Sequence, residues 1–430
     1  MPPLTRRRLL GAAAMALPAL VSGGGAHAAS VRSRPAGPRQ IAFWGGWTGP
    51  DGLAMHGLVR RFNAENRDVQ VALTLYNWDL IFDRWRAEFD GGAPPDIVGI
   101  HATEVAEFAA RGMLLNIAGR VQLQGIDVEE FPSALWRLCG ADGGIYAVPI
   151  DIHPLGLYIN ARAAERAGLD PRRPPRDAAE LLSWAGRLVD RRRGIWGYAA
   201  PAGDVECFRQ WFSLLYQYGG RFMDPTGSRC AADSAAGIRA YGFLRGLVTG
   251  GVAMPQEGPV DADFIEGRLL MYAQGPWYIR GAQGAGFPFV TAPLPRIGAS
   301  GGTWANSHVL GVVNTQDDGQ VEAAMRFVAW IHAHALDWAE AGQVPASATA
   351  RAALPHTSIW PHLRPFAARI DELVYQPALL AHSQLFAETL PTPIITATKA
   401  AMLGQQTPSQ AARALAQGVD QVLALPASSG

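Results

Sequence analysis

The chain has 430 residues, with 37 basic and 37 acidic side chains and therefore no formal net charge. At 49% hydrophobic and 17% charged it has the make-up of a globular protein that buries a sizeable core, and its length suits two or three domains. Zero net charge lacks the basic stripe of a nucleic-acid binder, and no nucleic-acid partner is expected. Lys399 is the only lysine, and 13 tryptophans is a high count.

In chain order, Thr5-Arg6-Arg7-Arg8-Leu9-Leu10 opens a positively charged segment, an apolar stretch follows over 9–21, and Ala26-His27-Ala28 forms a small-residue site. This is the layout of a signal peptide, and it resembles the twin-arginine export signal. The apolar stretch falls short of the ~20 residues that span a bilayer. Removing residues 1–28 takes away Arg6, Arg7 and Arg8 and no acid, leaving 34 basic against 37 acidic side chains. The mature protein is expected in the periplasm, exported and soluble. No cysteine precedes Cys139, so a lipid anchor on an N-terminal cysteine is not expected.

After a polar lead-in over 30–39, Ile41-Ala42-Phe43-Trp44 reads as a short apolar strand ending at Gly45 and Gly46. A helix pattern runs through Leu53, Leu58, Val59 and Phe62. Residues 69–76 alternate as a strand, 81–89 are helical, 96–100 form a short buried strand and 103–110 a helix. That alternation builds a parallel sheet covered by helices. Extended segments follow at 145–149 and 156–160. Asp177 and Glu180 have capping-box spacing ahead of Leu181, Trp184 and Leu188. Helices are expected near 206–218, 233–249 and 318–341. The last of these sets Val321, Met325, Val328, Ile331, Ala335 and Trp338 on one face, with Gly342 as its stop. Thr407, Pro408 and Gln410 open the final helix as cap, first-turn proline and capping-box glutamine.

Catalytic motifs are weak. Gly298-Ala299-Ser300-Gly301-Gly302 matches the GxSxG pattern of serine hydrolases, but Pro295 precedes it and no helix pattern follows, so it reads as a loop. His332 and His334 are two apart on a helix, roughly 200° around it, and cannot share a metal. Cys139, Cys207 and Cys230 lack metal-ligand spacing; a disulfide such as Cys207–Cys230 and three buried thiols both stand open. No enzyme activity, cofactor or metal is expected.

An ordered set of segments carries more information. Phe43-Trp44-Gly45-Gly46-Trp47 is followed by Arg61-Phe62-Asn63-Ala64-Glu65-Asn66, Gly92-Ala93-Pro94-Pro95-Asp96-Ile97 and Glu107-Phe108-Ala109-Ala110-Arg111-Gly112. Then come Gly144-Ile145-Tyr146-Ala147-Val148-Pro149, Leu157-Tyr158-Ile159-Asn160, Ala167-Gly168-Leu169-Asp170 and Gly275-Pro276-Trp277. Ala292-Pro293-Leu294-Pro295, Gly342-Gln343-Val344-Pro345 and Thr407-Pro408-Ser409-Gln410-Ala411-Ala412 complete it. Over essentially the whole mature chain this series resembles the extracellular solute-binding proteins of ABC sugar importers, the family that includes maltose- and glycerol-phosphate-binding proteins. The resemblance implies an α/β, two-lobed periplasmic-binding-protein fold with a multi-strand hinge and an interlobe ligand cleft. Lobe 1 would comprise 38–150 plus 308–343 and lobe 2 would comprise 154–304 plus 346–430. The chain would cross between them near 150–154, 304–309 and 343–346.

Saccharides need flat apolar faces for their C–H surfaces and carboxylate or amide groups for their hydroxyls. At the places where the family puts such residues, this chain has Trp47, Trp78, Asp79, His101, Asp151, His153, Trp277, Asn306, Ser307 and Gln343. Trp44 lies within an apolar strand and reads as core. Competing readings exist: Asp79 as a helix cap, His153 as a hinge residue before Pro154, and Trp211 in either the cleft or a helix core. His308 reads as a satisfied core histidine and is left out of the site. His101, His153 and His308 together leave a metal-binding variant open, since sequence does not constrain ligand spacing.

The function implied is reversible capture of a saccharide or polyol by a monomer that delivers it to the membrane subunits of an ABC permease. A neutral ligand is expected, because the chosen positions carry Asp79 and Asp151 and no lysine or arginine. The alternatives are a secreted α/β hydrolase using Ser300 or a carboxylate pair, and a glycerol-phosphate-type binding protein on the same fold.

Overall fold

The computed structural model describes residues 37–201, 205–256, 260–315, 317–379, 382–386 and 391–425. The segment over 1–28 expected to be a signal peptide lies outside the described residues. The chain divides into a stretch ending at Gly37 and a body from Pro38 onward, and every described strand and helix belongs to the body.

Three largely apolar segments form strands Arg39–Gly45, Val69–Leu75 and Ile97–His101, separated by helices Pro50–Glu65 and Trp78–Asp90. They pair in parallel, with Phe43 opposite Leu73 on one side and Ile97 on the other. Late in the chain, His308–Val312 joins the open edge antiparallel to Ile97–His101, and Ala147–Pro149 pairs antiparallel beyond it. Phe43, Phe62, Trp85, Phe108, Leu310 and Phe327 fill one apolar core around this sheet.

A second core surrounds the antiparallel sheet of Met271–Gln274, Gly156–Asn160 and Phe289–Pro293. Helices Val205–Gln217, Ala235–Thr249, Pro393–Met402 and Pro408–Leu423 supply Phe208, Trp211, Tyr241, Ile394 and Leu415 to it. Trp211 is core: its ring stacks on Tyr241 and its Nε1 donates to the Gly237 carbonyl at 3.1 Å. Between the two cores runs a small sheet of Val344–Pro345, Asp151–Pro154, Thr303–Asn306 and Leu373–Tyr375. The last strand pairs parallel to Thr303–Asn306 and had no signal in the sequence.

Local chemistry explains most boundaries. Thr407 and Gln410 form the full capping box. Asp177 accepts from the Glu180 N–H, but the Glu180 carboxylate turns to the backbone and guanidinium of Arg176, so only half of that box forms. The segment expected as one helix over 318–341 is two, Asp318–Ala333 and Ala335–Ala339. The break falls at His334; the second helix ends at Ala339 with Glu340 as its cap, and Gly342, expected as the stop, follows in the turn beyond it at φ 98°. Leu58, Val59 and Phe62 are buried as expected, but Leu53 is 73% exposed, and Gly52 and Met55 take its place on the buried face. All three cysteines are buried thiols, and no disulfide joins them among the described residues. Residues 298–302 lead into strand Thr303–Asn306 and not into a helix, so Ser300 lacks the geometry of a hydrolase nucleophile elbow.

Candidate ligand-binding cleft

In open α/β sheets, strands turning into helices at their C-terminal ends leave a crevice where ligands bind. Here strand Arg39–Gly45 leads to Thr48 and Asp51, strand Val69–Leu75 leads to Trp78, and strand Ile97–His101 ends on His101. Antiparallel register sets His308 directly opposite His101, and Asn306 opposite His153. Two strand pairs therefore deliver three histidines to one spot.

The three histidines, Thr48, Asp51 and Trp78 line a cavity of about 300 Å³ together with Pro50, Arg209, Trp277, Tyr278 and Gly281. Trp78 packs against the first core and Trp277 against the second, so the cavity draws its walls from both. Aromatic rings run continuously across it. Trp78 stacks on His308 at 5.4 Å between centroids, His308 meets His153 at 4.5 Å, and His153 meets Trp277 edge-on at 5.5 Å. Glycines seat the two indoles: a methyl group on Gly46 would overlap the Trp78 ring, and one on Gly275 would overlap the Trp277 ring.

Asp151 is fully buried beneath the histidines. It accepts from His153 Nδ1 at 3.1 Å, from the His308 backbone N–H at 2.8 Å and Nδ1 at 2.7 Å, and from Trp338 Nε1 at 2.8 Å. Burial alone would raise its carboxyl, but His308 and His153 outweigh burial and hold it well below the usual carboxylate range. His153 is pushed down to about 3, first by burial and then by His308. Asp51, at the mouth of helix Pro50–Glu65, is raised to about 6 by burial, against the opposing pull of His308.

Of the ten residues expected in the site, Trp78, His101, His153 and Trp277 line the cavity. The other six do not. Trp47 is fully buried and packs edge-on against Phe43, Trp78, His308 and Trp338. Trp44, expected in the core, is only half-buried against Tyr76, so the two tryptophans exchange their expected places. Asp79 lies in the first turn of helix Trp78–Asp90, away from the lining, and the cap is Asn77, which accepts from the Asp79 N–H. Asp151 acts from behind the histidines. Asn306 donates to Thr103 Oγ1 at 3.4 Å, and the Ser307 hydroxyl donates to the His308 carbonyl at 3.0 Å; both residues are buried. Gln343 is fully buried, and its side-chain amide meets no hydrogen-bond partner among the described residues.

The sequence missed His308, Asp51 and Arg209. His308 had a signal, since it neighbours Asn306 and Ser307 at a chain crossing, but a buried histidine reads as core. Arg209 is 8% exposed, pairs with Glu206, and lies over the rings of Trp277 and Trp304. It puts a cation where none was expected, while Asp151 is turned away from the cavity.

Separate apolar cores around the parallel and the antiparallel sheet, a small sheet running between them and a cavity walled from both define a two-lobed binding-protein fold. The family model of bacterial extracellular solute-binding proteins matches residues 57–365, and the chain belongs to that family. It is similar to a putative binding protein of Brucella abortus, 21% identical over 219 residues, which is 50% of each chain. The chain thus spans about half the length of the curated relatives it matches first. Among solved structures, it resembles an acarbose-binding receptor of Streptomyces glaucescens at TM-score 0.78 and 21% identity, covering 90% of this chain and 98% of the other. It also resembles a Mycobacterium tuberculosis protein solved with glycerophosphocholine, at TM-score 0.77 and 21% identity, covering 90% and 98%. Among the described residues, no helix is long and apolar enough to cross a membrane.

Proposed function

We propose that this protein is the exported substrate-binding component of an ABC importer. It captures a small saccharide or polyol without covalent chemistry, as a monomer, and hands it to the membrane permease. Lobes 38–150 plus 308–343 and 154–304 plus 346–430 close on the ligand, with the crossing strands absorbing the motion. The observation that carries this reading is the pair of half-buried indoles, Trp78 and Trp277, walling one cavity from the two cores amid His101, His153, Asp51 and Thr48. Indole faces suit sugar C–H surfaces, and the polar groups suit hydroxyls. A volume of about 300 Å³ is at the low end for ligand sites, which favours a monosaccharide, disaccharide or polyol over a long oligosaccharide.

A thermal-shift screen against neutral sugars and polyols tests this directly. A ligand at ~100 times its dissociation constant adds about 2.7 kcal/mol of stability. It should also be recovered unchanged after prolonged incubation, and X-ray scattering should report compaction on binding. Absence of any stabilising saccharide or polyol, or its turnover, would overturn the proposal.

Arg209 favours a second reading, a phosphorylated polyol held by charge-assisted hydrogen bonds. The similarity to the glycerol-3-phosphate-binding periplasmic protein of Escherichia coli K12, 28% identical over 153 residues, 34% of this chain and 35% of that one, supports it. Tighter binding of a phosphorylated ligand than of its neutral counterpart, weakening as salt rises, would decide for it.

A further inference from the structure

One ring nitrogen from each of His101, His153 and His308 lies within 4.8 Å of the others. All three rings also line the same cavity. We infer that these three histidines form a binding site for a divalent first-row transition-metal ion in the wall of the cleft.

Imidazole nitrogens suit zinc, copper, nickel and iron, and three of them leave coordination positions open. A metal-bound histidine almost always has its other ring nitrogen fixed by a carboxylate or carbonyl, and that arrangement is already built here. Asp151 holds the Nδ1 atoms of both His153 and His308, at 3.1 and 2.7 Å, so an ion would be met by their Nε2 atoms. Glu104 stands 3.5 Å from His101 Nδ1 and also accepts from the His101 backbone N–H at 2.7 Å. Two buried carboxylates therefore back the three rings and offset the charge of a dication.

Register explains why the rings stay together. His101 and His308 are cross-strand partners, and His153 is fixed by its pairing with Asn306, two residues before His308. Metal–nitrogen bonds of ~2.0–2.1 Å in a tetrahedron need nitrogens ~3.3 Å apart. The three nitrogens, within 4.8 Å of one another, would close by up to ~1.5 Å around the ion, and His101, at 13% exposed, is the least buried of the three rings. This site does not rest on the saccharide proposal; sugar binding and metal binding are measured separately on the same protein.

The test uses the full chain after chelator treatment and dialysis, titrated with Zn²⁺ alone by calorimetry and with Co²⁺ alone by visible absorption. One saturable equivalent is expected, with cobalt d–d bands of a low-coordinate nitrogen site and a rise in melting temperature. His101→Asn and His153→Gln should each weaken binding by at least about tenfold. His356→Ala, on an exposed residue outside the cavity, should leave binding unchanged. Circular dichroism verifies that each variant is folded, and His101→Asn, at the most exposed of the three ligands, is the variant expected to keep its fold. No saturable equivalent in the unaltered chain, or equal affinity in a folded His101→Asn variant, would overturn the site.

Discussion

The guanidinium of Arg209 lies 4.4 Å from the ring centre of Trp304, an indole carried by the strand that crosses between the two cores. Trp304 in turn donates its Nε1 to Gln376 at 2.9 Å, so the ring under the cation is held in place. A cation anchored this way keeps its charge at the cavity at low entropic cost. It also changes the electrostatic reading of the cleft, whose lining carboxylate is Asp51 rather than Asp79 or Asp151.

Arg209→Gln separates the two ligand readings. A hydrogen bond to a charged group contributes ~1.5–3 kcal/mol, or roughly tenfold to a hundredfold in affinity. A phosphorylated polyol should lose that much in the variant, whereas a neutral sugar should lose less than ~3-fold. Calorimetric titration of matched ligands at two salt concentrations measures both. Equal losses for the two ligands would place Arg209 in structure and not in recognition.

Trp277→Ala should weaken ligand binding by ~1–3 kcal/mol while the fold survives, because the ring is half-buried and packs on Trp304 and His153 at the cavity edge. Gly275→Ala provides an independent check, since its new methyl would displace the Trp277 ring without removing it. Binding should fall in both variants, with melting temperatures within a few degrees of the parent. Normal binding with early melting would make Trp277 a core residue.

Much of the fold was legible because it rests on local rules. Strand–helix alternation up to His101 and the Thr407 cap both depend on residues near one another in sequence. The site was legible where an aromatic residue closely follows a strand end, as Trp78 follows Leu75 and Trp277 follows Gln274. What failed were questions of facing. Trp44 and Trp47 are three residues apart on either side of a strand end, and nothing local says which ring the core takes. Leu53 looks like core and is exposed; Arg209 looks like a helix surface residue and reaches the cavity. Asp151 stands out in the sequence, but its role under His153 and His308 depends on strand register, which one sequence does not reveal.

Asp151→Ala should therefore act first on stability. It would leave the Nδ1 groups of His153 and His308, the His308 N–H and the Trp338 Nε1 without their common acceptor. Removing one member of a buried charged network costs ~3–5 kcal/mol. Urea unfolding should show a lower midpoint at unchanged slope. Full stability with lost ligand binding would instead mean that Asp151 contacts the ligand itself.

Asp51 should oppose folding as it ionises. Its carboxyl is raised from 3.8 to about 6, chiefly by burial, so the folded state holds this proton more tightly than the unfolded chain does. The resulting stabilisation is fully present below pH 3.8 and is lost as pH rises through about 6, after which stability stays constant. Asp51→Asn has no such titration. The variant should match or trail the parent at pH 4, gain on it between pH 4 and 6, and hold its lead at pH 7 and 8. A shift of this size corresponds to ~3 kcal/mol at most, and the group's partial contact with solvent reduces the expected gain to ~1–2 kcal/mol. Urea midpoints of both proteins across that pH range, in metal-free buffer without ligand, measure the difference. Parallel curves for parent and variant would mean that Asp51 is solvated like an ordinary surface carboxylate, and a widening gap above pH 7 would assign the effect to another group.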